Sequence, residues 1–308
     1  LDFWSKARPL ALHARLGISV RAAGPSGEYH MNVTQTEHYT REHSIRNGIE
    51  WISYIPQQRQ HSTPILMQHG MWHGAWCWQP WQEALAEWGW QSHAISLPGH
   101  AGSPVQRPIR LCTLDYYLQF LRAALESLPQ TPVLMGHSMG GALTQWYLRD
   151  VGNLPAAVLV APWALYRGFW RCLPAFLKLD LPGTILSGPM LRSEWVRNPH
   201  RAAAALLSPD SLMTPEELFA QLGPESLLVI FQHLRPWRVP ASFNTPMLWL
   251  AAERDTLIPE HASRIAASVY PGAQYVMVPG AAHNIMMEKN SREIAQQIHE
   301  WLARTLPD

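Results

Sequence analysis

The amino-acid sequence predicts an α/β protein, built around one mostly parallel sheet with helices on its faces. Short apolar runs of strand length alternate along the chain with segments of helical periodicity. Several of these runs stop at a turn that contains glycine, as buried strands of a parallel sheet do. Because strand–helix–strand units form right-handed crossovers, the alternation implies that neighbouring strands are parallel.

The composition agrees with a well-packed globular protein. The chain has 308 residues, of which 47% are hydrophobic and 15% are charged. The formal net charge of +1 gives no strong overall attraction to nucleic acid or to an anionic membrane, so no nucleic-acid partner is expected. No apolar run reaches the ~18–20 residues of a membrane span.

The cysteines and the first residues bear on location. The 3 cysteines contain no CxxC pair, so the sequence indicates neither a disulfide framework nor a zinc site. Residues 1–20 lack the basic-then-apolar order of a signal peptide. We therefore expect a reducing compartment and a cytoplasmic location.

The elements follow in order from residue 31, after an N-terminal arm at 1–30 that has no clear periodicity. Helices are expected at Trp81–Trp88, after Thr113 as N-cap, and at Met139–Leu148, Pro259–Val269 and Arg292–Leu302. Extended segments are expected at Val33–Arg41, Ile49–Ile55, Pro64–Gln68, Ser92–Leu97, Pro132–Gly136, Ala157–Ala161, Met247–Ala252 and Gln274–Val278.

The alternation stops at Pro162 and resumes near residue 241. Residues 163–240 contain Ala-rich and Leu-rich helical pieces interrupted by prolines, which predicts a helical cap inserted into a core of residues 31–162 and 241–308. Most aromatic residues of the cap are expected in its own core, and the rest along an apolar substrate pocket. They are Trp163, Phe169, Trp170, Phe176, Trp195, Phe219, Phe231 and Trp237.

Gly136-His-Ser-Met-Gly140 matches G-x-S-x-G and lies between a predicted strand and a predicted helix. A sharp turn there exposes the serine and favours residues without a side chain on either side of it. We therefore expect Ser138 to be a nucleophile. The alternative is an ordinary tight turn.

A serine hydroxyl needs a base to take its proton, and in this arrangement an acid and a histidine follow the serine along the chain. Asp255 follows the strand at 247–252, and His283 follows the strand at 274–278. We expect them to be the acid and the base. Glu253 is a rival acid, Asp255 is also a possible helix N-cap, and His283 is also a possible structural histidine.

Ester hydrolysis by a serine also needs hydrogen-bond donors for the negatively charged oxygen of the intermediate, and one of them is expected after the strand at 64–68. His69-Gly70 lies there, and the backbone N–H groups of Met71 and Met139 are the predicted oxyanion donors. His69 and His73 have the i, i+4 spacing of zinc ligands, but the intervening segment contains glycine and no Glu, so no metal is expected.

These motifs resemble a known family. The resemblance rests on four segments: the run from His69 to Trp78 (HGMWHGAWCW), the loop from Leu97 to Ser103 (LPGHAGS), the G-x-S-x-G turn (called the serine elbow below) and Gly280-Ala-Ala-His283. These segments resemble the α/β-hydrolase group that holds plant methylesterases, hydroxynitrile lyases and bacterial carboxylesterases. The resemblance covers about residues 60–162 and 245–303. It implies an α/β-hydrolase fold and ester hydrolysis without a cofactor.

Three positions differ from members with other chemistry. Gly70 and Asn284 stand where the hydroxynitrile lyases carry Thr and Lys, and Ser138 stands where dehalogenases and many epoxide hydrolases carry Asp. We therefore expect a carboxylesterase that acts on a small, apolar ester through an acyl-enzyme. A perhydrolase or lyase with the same triad, or a ligand receptor on the same fold, remains as an alternative.

Overall fold

The computed structural model describes residues 29–306, and its centre is a twisted sheet. Within that range the strands lie side by side in the order β1-β2-β3-β5-β4-β6-β7-β8-β9. The pairs from β1 to β3, and β3 with β5, are antiparallel, and all other neighbours are parallel. The strands are β1 (Tyr29–Gln35), β2 (Tyr39–Arg46), β3 (Ile49–Pro56), β4 (Ile65–Gln68), β5 (Ser92–Ser96), β6 (Val133–His137), β7 (Ala157–Val160), β8 (Met247–Ala252) and β9 (Gln274–Val278).

Helices connect the parallel strands and cover the sheet. Short 3-10 turns at Ala75–Trp78, Ile109–Leu111 and Ile285–Met287 accompany them. The helices are α1 (Gln79–Glu87), α2 (Leu114–Ser127), α3 (Met139–Asp150), α4 (Arg167–Leu179), α5 (Leu181–Met190), α6 (Pro199–Leu206), α7 (Pro215–Gln221), α8 (Leu228–Gln232), α9 (Glu260–Ala267) and α10 (Ser291–Thr305).

Burial explains why the central strands have continuous apolar sequences. Every residue of β4, β6, β7 and β8 is buried, because helices cover both faces of this part of the sheet. The expected N-cap is also present, since the Thr113 side chain accepts the N–H of Tyr116 at the start of α2. The predicted alternation of strand and helix is therefore confirmed over the core.

The prediction of one extended segment at Val33–Arg41 is wrong. A turn divides it, and the Thr36 hydroxyl accepts the backbone N–H of Tyr39 there, 3.0 Å away. The chain forms the hairpin β1–β2, and β2 contains too few apolar residues to be recognised from sequence. Residues 29 and 30, which we assigned to the arm, begin β1, and the rest of the arm lies outside the described residues.

Residues 163–240, called the helical segment below, hold α4 to α8 and contain no strand. Only isolated bridges occur in it, such as Arg192 with Ser226. Prolines begin or interrupt several of its helices, for example Pro174 inside α4 and Pro189 inside α5. Across residues 29–306, no helix is long and apolar enough to cross a membrane.

Candidate active site

The turn from β6 into α3 holds Ser138 in a conformation that side chains rarely adopt. Its φ is 53° and its ψ is −115°, which places the serine at the apex of a sharp bend. The neighbouring Gly140 lies against the carbonyl oxygens of Gln68 and His69, and a Cβ atom at Gly140 would collide with both. The sequence expectation of a tight elbow that requires glycine is therefore confirmed.

The structure brings the three predicted site residues together in one hydrogen-bonded chain. The Ser138 hydroxyl lies 2.8 Å from His283 Nε2, and His283 Nδ1–H donates to Asp255 Oδ2 over 2.7 Å. The serine is 2% exposed and the histidine 1%. All three follow the carboxyl ends of parallel strands, β6, β8 and β9, where open α/β sheets form their sites.

Two backbone groups fix the Asp255 carboxylate. Its Oδ1 accepts the N–H groups of Leu257 and Ile258, each over 2.8 Å, which leaves Oδ2 for His283. The rival acid is directed elsewhere, because Glu253 Oε2 accepts the N–H of Gly280 over 2.7 Å at the surface. Of the two acidic residues considered, only Asp255 therefore contacts the histidine.

The loop after β4 approaches the serine closely. A Cβ atom at Gly70 would lie 2.7 Å from Ser138 Cβ, so only glycine allows the backbone this near. Neither the Met71 N–H nor the Met139 N–H has an acceptor within residues 29–306. Both therefore remain able to donate to a bound group near Ser138 Oγ.

His69 holds the peptide that carries the Met71 N–H. Its Nδ1–H donates to the Gly70 carbonyl oxygen over 2.7 Å, and its Nε2 accepts the Leu97 N–H over 3.0 Å. Burial lowers the pKa of His69 well below its ordinary value, so the ring stays neutral and keeps this tautomer. The sequence analysis missed this role.

His73 and Asn284 form a second buried pair beside the site. His73 Nδ1–H donates to the Met71 carbonyl oxygen over 2.6 Å, and its Nε2 accepts from Asn284 Nδ2 over 3.1 Å. Burial lowers the pKa of His73 to about 4. Within residues 29–306 no group of three or more His, Cys, Asp or Glu side chains is arranged to hold a metal ion.

The helical segment covers the loops that carry the site residues. Gly223 donates its N–H to the Trp72 carbonyl over 2.7 Å, and Asn284 donates its N–H to the Leu206 carbonyl over 3.0 Å. Thr256, next to Asp255, donates its hydroxyl to the Ala204 carbonyl over 3.1 Å. The segment therefore contacts the chain directly beside Met71, His283 and Asp255.

Stacked aromatic rings line the inner side of α4. The Trp163 and Phe176 ring centroids are 5.2 Å apart, and the Phe176 and Trp195 centroids 4.6 Å apart. Trp195 in turn meets Trp72 edge to face at 6.4 Å. The backbone N–H of Trp163 donates to the Ser138 carbonyl over 3.1 Å, so this apolar stack extends from the serine elbow into the helical segment.

A buried carboxylate joins the helical segment to the core. Glu225 accepts from His100 Nε2–H over 3.0 Å and from the Tyr117 hydroxyl over 2.9 Å, and all three side chains are buried. Burial, and then the Glu225 charge, raise the pKa of Tyr117 well above its ordinary value, so the phenol keeps its proton and donates it.

A comparison with known protein families gives the assignment. The model of the "Alpha/beta hydrolase family" matches residues 65–297, about three quarters of the chain. The chain belongs to the alpha/beta hydrolase family. The family match includes the serine elbow, the helical segment and the loops of Asp255 and His283.

Relatives of this hydrolase include esterases. It is 25% identical to Methylesterase 10 of Arabidopsis thaliana, over 82% of this chain and 95% of that protein. It is 27% identical to the pimeloyl-[acyl-carrier protein] methyl ester esterase of Xanthomonas campestris pv. campestris, over 79% of this chain and 96% of that protein.

Solved structures agree on the fold of this alpha/beta hydrolase. A thermophilic esterase from Thermogutta terrifontis superposes with a TM-score of 0.57 at 21% identity, over 84% of this chain and 94% of the other. The predicted family and fold class are confirmed, and the enzyme is a carboxylesterase-like hydrolase.

Proposed function

We propose that this hydrolase cleaves carboxylic esters through an acyl-enzyme on Ser138. The observation that carries the proposal is the unbroken chain of hydrogen bonds from Ser138 through His283 to Asp255, with distances of 2.8 and 2.7 Å. A serine, a neutral imidazole and a buried carboxylate in this order are the parts of an activated oxygen nucleophile.

In the acylation step, Ser138 Oγ attacks the ester carbonyl carbon while its proton passes to His283 Nε2. The imidazolium that forms is stabilised by Asp255, and the proton then goes to the departing alkoxide as the C–O bond breaks. Water, deprotonated by the same histidine, attacks the acyl-enzyme. This releases the carboxylic acid and restores the Ser138 hydroxyl.

The negative charge of each tetrahedral intermediate falls on the former carbonyl oxygen. We assign the Met71 and Met139 N–H groups as its donors, because both lack an acceptor within the described residues and Gly70 brings the first one beside Ser138. Removing one such donor costs about 3–4 kcal/mol in other hydrolases. His69 would keep the Met71 donor in place.

The helical segment serves as the predicted cap, and we propose that its aromatic stack binds the acyl part of an apolar ester. The contacts of residues 204, 206 and 223 beside the site residues support the cap role, and the buried rings of Trp72, Trp163 and Phe176 place an apolar cluster beside the serine elbow. The names of both esterase relatives favour a methyl ester as the substrate.

The test is the variant Ser138→Ala, assayed with a set of chromogenic and methyl esters. Loss of the nucleophile is expected to lower kcat by about 10⁶-fold while the thermal unfolding curve stays unchanged. Ser268→Ala, at an exposed serine after α9, is the matched control and should behave as wild type.

A second readout uses a fluorophosphonate, which forms a stable bond with an activated serine. Mass spectrometry is expected to find the label on the peptide that contains Ser138 and to find none in Ser138→Ala. Retained ester hydrolysis in the purified variant, or labelling at another serine, would overturn the assignment.

A further inference from the structure

The outer side of α5 is wholly apolar. Its sequence, LPGTILSGPM, has no charged residue, and its Ile185 side chain is 66% accessible to solvent. The exposed positions of this helix carry only Leu, Pro, Ile, Gly and Met, and its two hydroxyl side chains, Thr184 and Ser187, are hydrogen-bonded to the helix backbone. A helix that offers water an apolar face marks an interaction site.

Helix α4 extends this face. Trp170, which is 55% exposed, and Leu177 lie seven residues apart on the same side of α4. Leu181, the first residue of α5, is also exposed. The neighbouring, buried side of α4 presents Phe169 and Phe176 to the aromatic stack beside the site. The two outward faces are called the α4–α5 face below.

The exposed charged side chains described on α4 are both positive, and α5 carries no charge. Arg171 and Lys178 are exposed on α4, each directly after one of its outward apolar residues, and neither has an acidic partner in the part of the chain that the structure describes. Asp180 is the only acid between residues 167 and 193, and it is buried and paired with Arg197. The chain's net charge of +1 hides this local excess of positive charge.

Two kinds of occupant fit this surface poorly. In a two-fold dimer the same patch meets itself, so the unpaired Arg171 and Lys178 of both copies would come near each other without an acid between them. A protein partner forms about one hydrogen bond per 100–200 Å² of interface, and the exposed side chains of α5 offer no group for one. A hydrocarbon layer below anionic headgroups needs no such group.

We propose that the α4–α5 face docks the enzyme on an anionic lipid surface. Trp170, Leu177, Ile185 and their apolar neighbours enter the boundary between headgroups and acyl chains, while Arg171 and Lys178 remain level with the anionic headgroups. The sheet core stays in water. This docking places the outer side of the proposed cap on the lipid and does not depend on the catalytic assignment.

The experiment measures co-sedimentation of the full chain with two kinds of vesicles. One kind is phosphatidylcholine alone, and the other contains added phosphatidylglycerol. The Ser138→Ala form is measured in parallel, so that hydrolysis of lipid does not affect the result. The expected outcome is binding to the vesicles with phosphatidylglycerol, weakened by salt, and equal for both forms of the protein.

Paired variants locate the contact. Ile185→Glu is expected to lower vesicle affinity more than tenfold, whereas its control Val33→Glu, at an exposed valine on edge strand β1, leaves it unchanged. Arg171→Gln and Lys178→Gln should each lower affinity about fivefold, the fold-change that corresponds to about 1 kcal/mol per cation at such a surface. Arg304→Gln, at an exposed arginine of α10, is the matched control.

Several results overturn the proposal. The wild type could bind vesicles of neither kind, or Ile185→Glu could bind vesicles with the same affinity as the wild type. Equal affinity for both vesicle types would remove the role of Arg171 and Lys178. Light scattering that shows a dimer which Ile185→Glu dissociates, without vesicle binding, would instead make the face an interface between copies.

Discussion

The Asp255→Asn variant is the sharpest test of how the acid works, because the structure determines which way the new amide turns. In the wild type, Oδ1 accepts two backbone N–H groups and Oδ2 accepts His283 Nδ1–H. An asparagine that keeps its oxygen on the two backbone donors must direct its NH₂ group at His283 Nδ1. If the asparagine amide is turned the other way, its NH₂ group points at the backbone N–H groups of Leu257 and Ile258.

The balance between the two orientations follows from these contacts. Turning the NH₂ group toward the backbone leaves two buried donors without acceptors, at about 1–3 kcal/mol each. The amide therefore donates to His283 Nδ1, and the imidazole must carry its proton on Nε2, the atom that should accept from Ser138. By comparison with the same change in a known triad, kcat is expected to fall about 10⁴-fold, equivalent to about 5.4 kcal/mol in activation free energy.

The assay is the steady-state hydrolysis of a chromogenic ester, with thermal unfolding as a check on the fold. Glu253→Gln is the matched control, since the new amide oxygen can still accept the Gly280 N–H, and its kcat should stay within about twofold of wild type. If Glu253→Gln proves the more damaging variant, or if Asp255→Asn remains active, the assignment of the acid is refuted.

Two further outcomes are expected. Burial lowers the pKa of His73, His93 and His233 to about 4, so the unfolded chain binds more protons between about pH 6.5 and 4. The free energy of unfolding should therefore fall as the pH falls through this window, by up to about 1.4 kcal/mol per pH unit for each histidine. A melting temperature that stays constant between these pH values would contradict this. Gly70→Ala should lower kcat about 100-fold because its methyl group would meet Ser138 and His137, and wild-type kinetics in a folded variant would rule out the proposed close approach.

The core was predictable because its signals are local. The buried strands β4, β7 and β8 are short and mainly apolar runs, and the G-x-S-x-G turn shows where the serine lies. Asp255 and His283 were found because chain order and strand ends limit where an acid and a base can be. The structure places both within hydrogen-bonding reach of their partners.

The polar contacts around the site were not predictable in the same way. Asn284 binds His73 from 211 positions away along the chain, and Glu225 binds His100 from 125 positions away. Nothing local to either residue indicates its partner, because each pairing depends on how distant parts of the chain pack together, and for Glu225 on how the helical segment packs on the core. The prediction for the hairpin β1–β2 was wrong for another reason. Strand β2 is partly exposed and its sequence is polar, so it contains no apolar run that would indicate a strand.

Glu225 also has a consequence for how the molecule unfolds. If the helical segment detached while the sheet stayed intact, His100 and Tyr117 would lose an acceptor that both use while buried, at several kcal/mol for the broken network. The segment and the sheet are therefore coupled into one cooperative unit, despite the interruption of strand–helix alternation between them. A calorimetric scan should show a single transition, and residues 163–240 expressed alone should not hold their native structure.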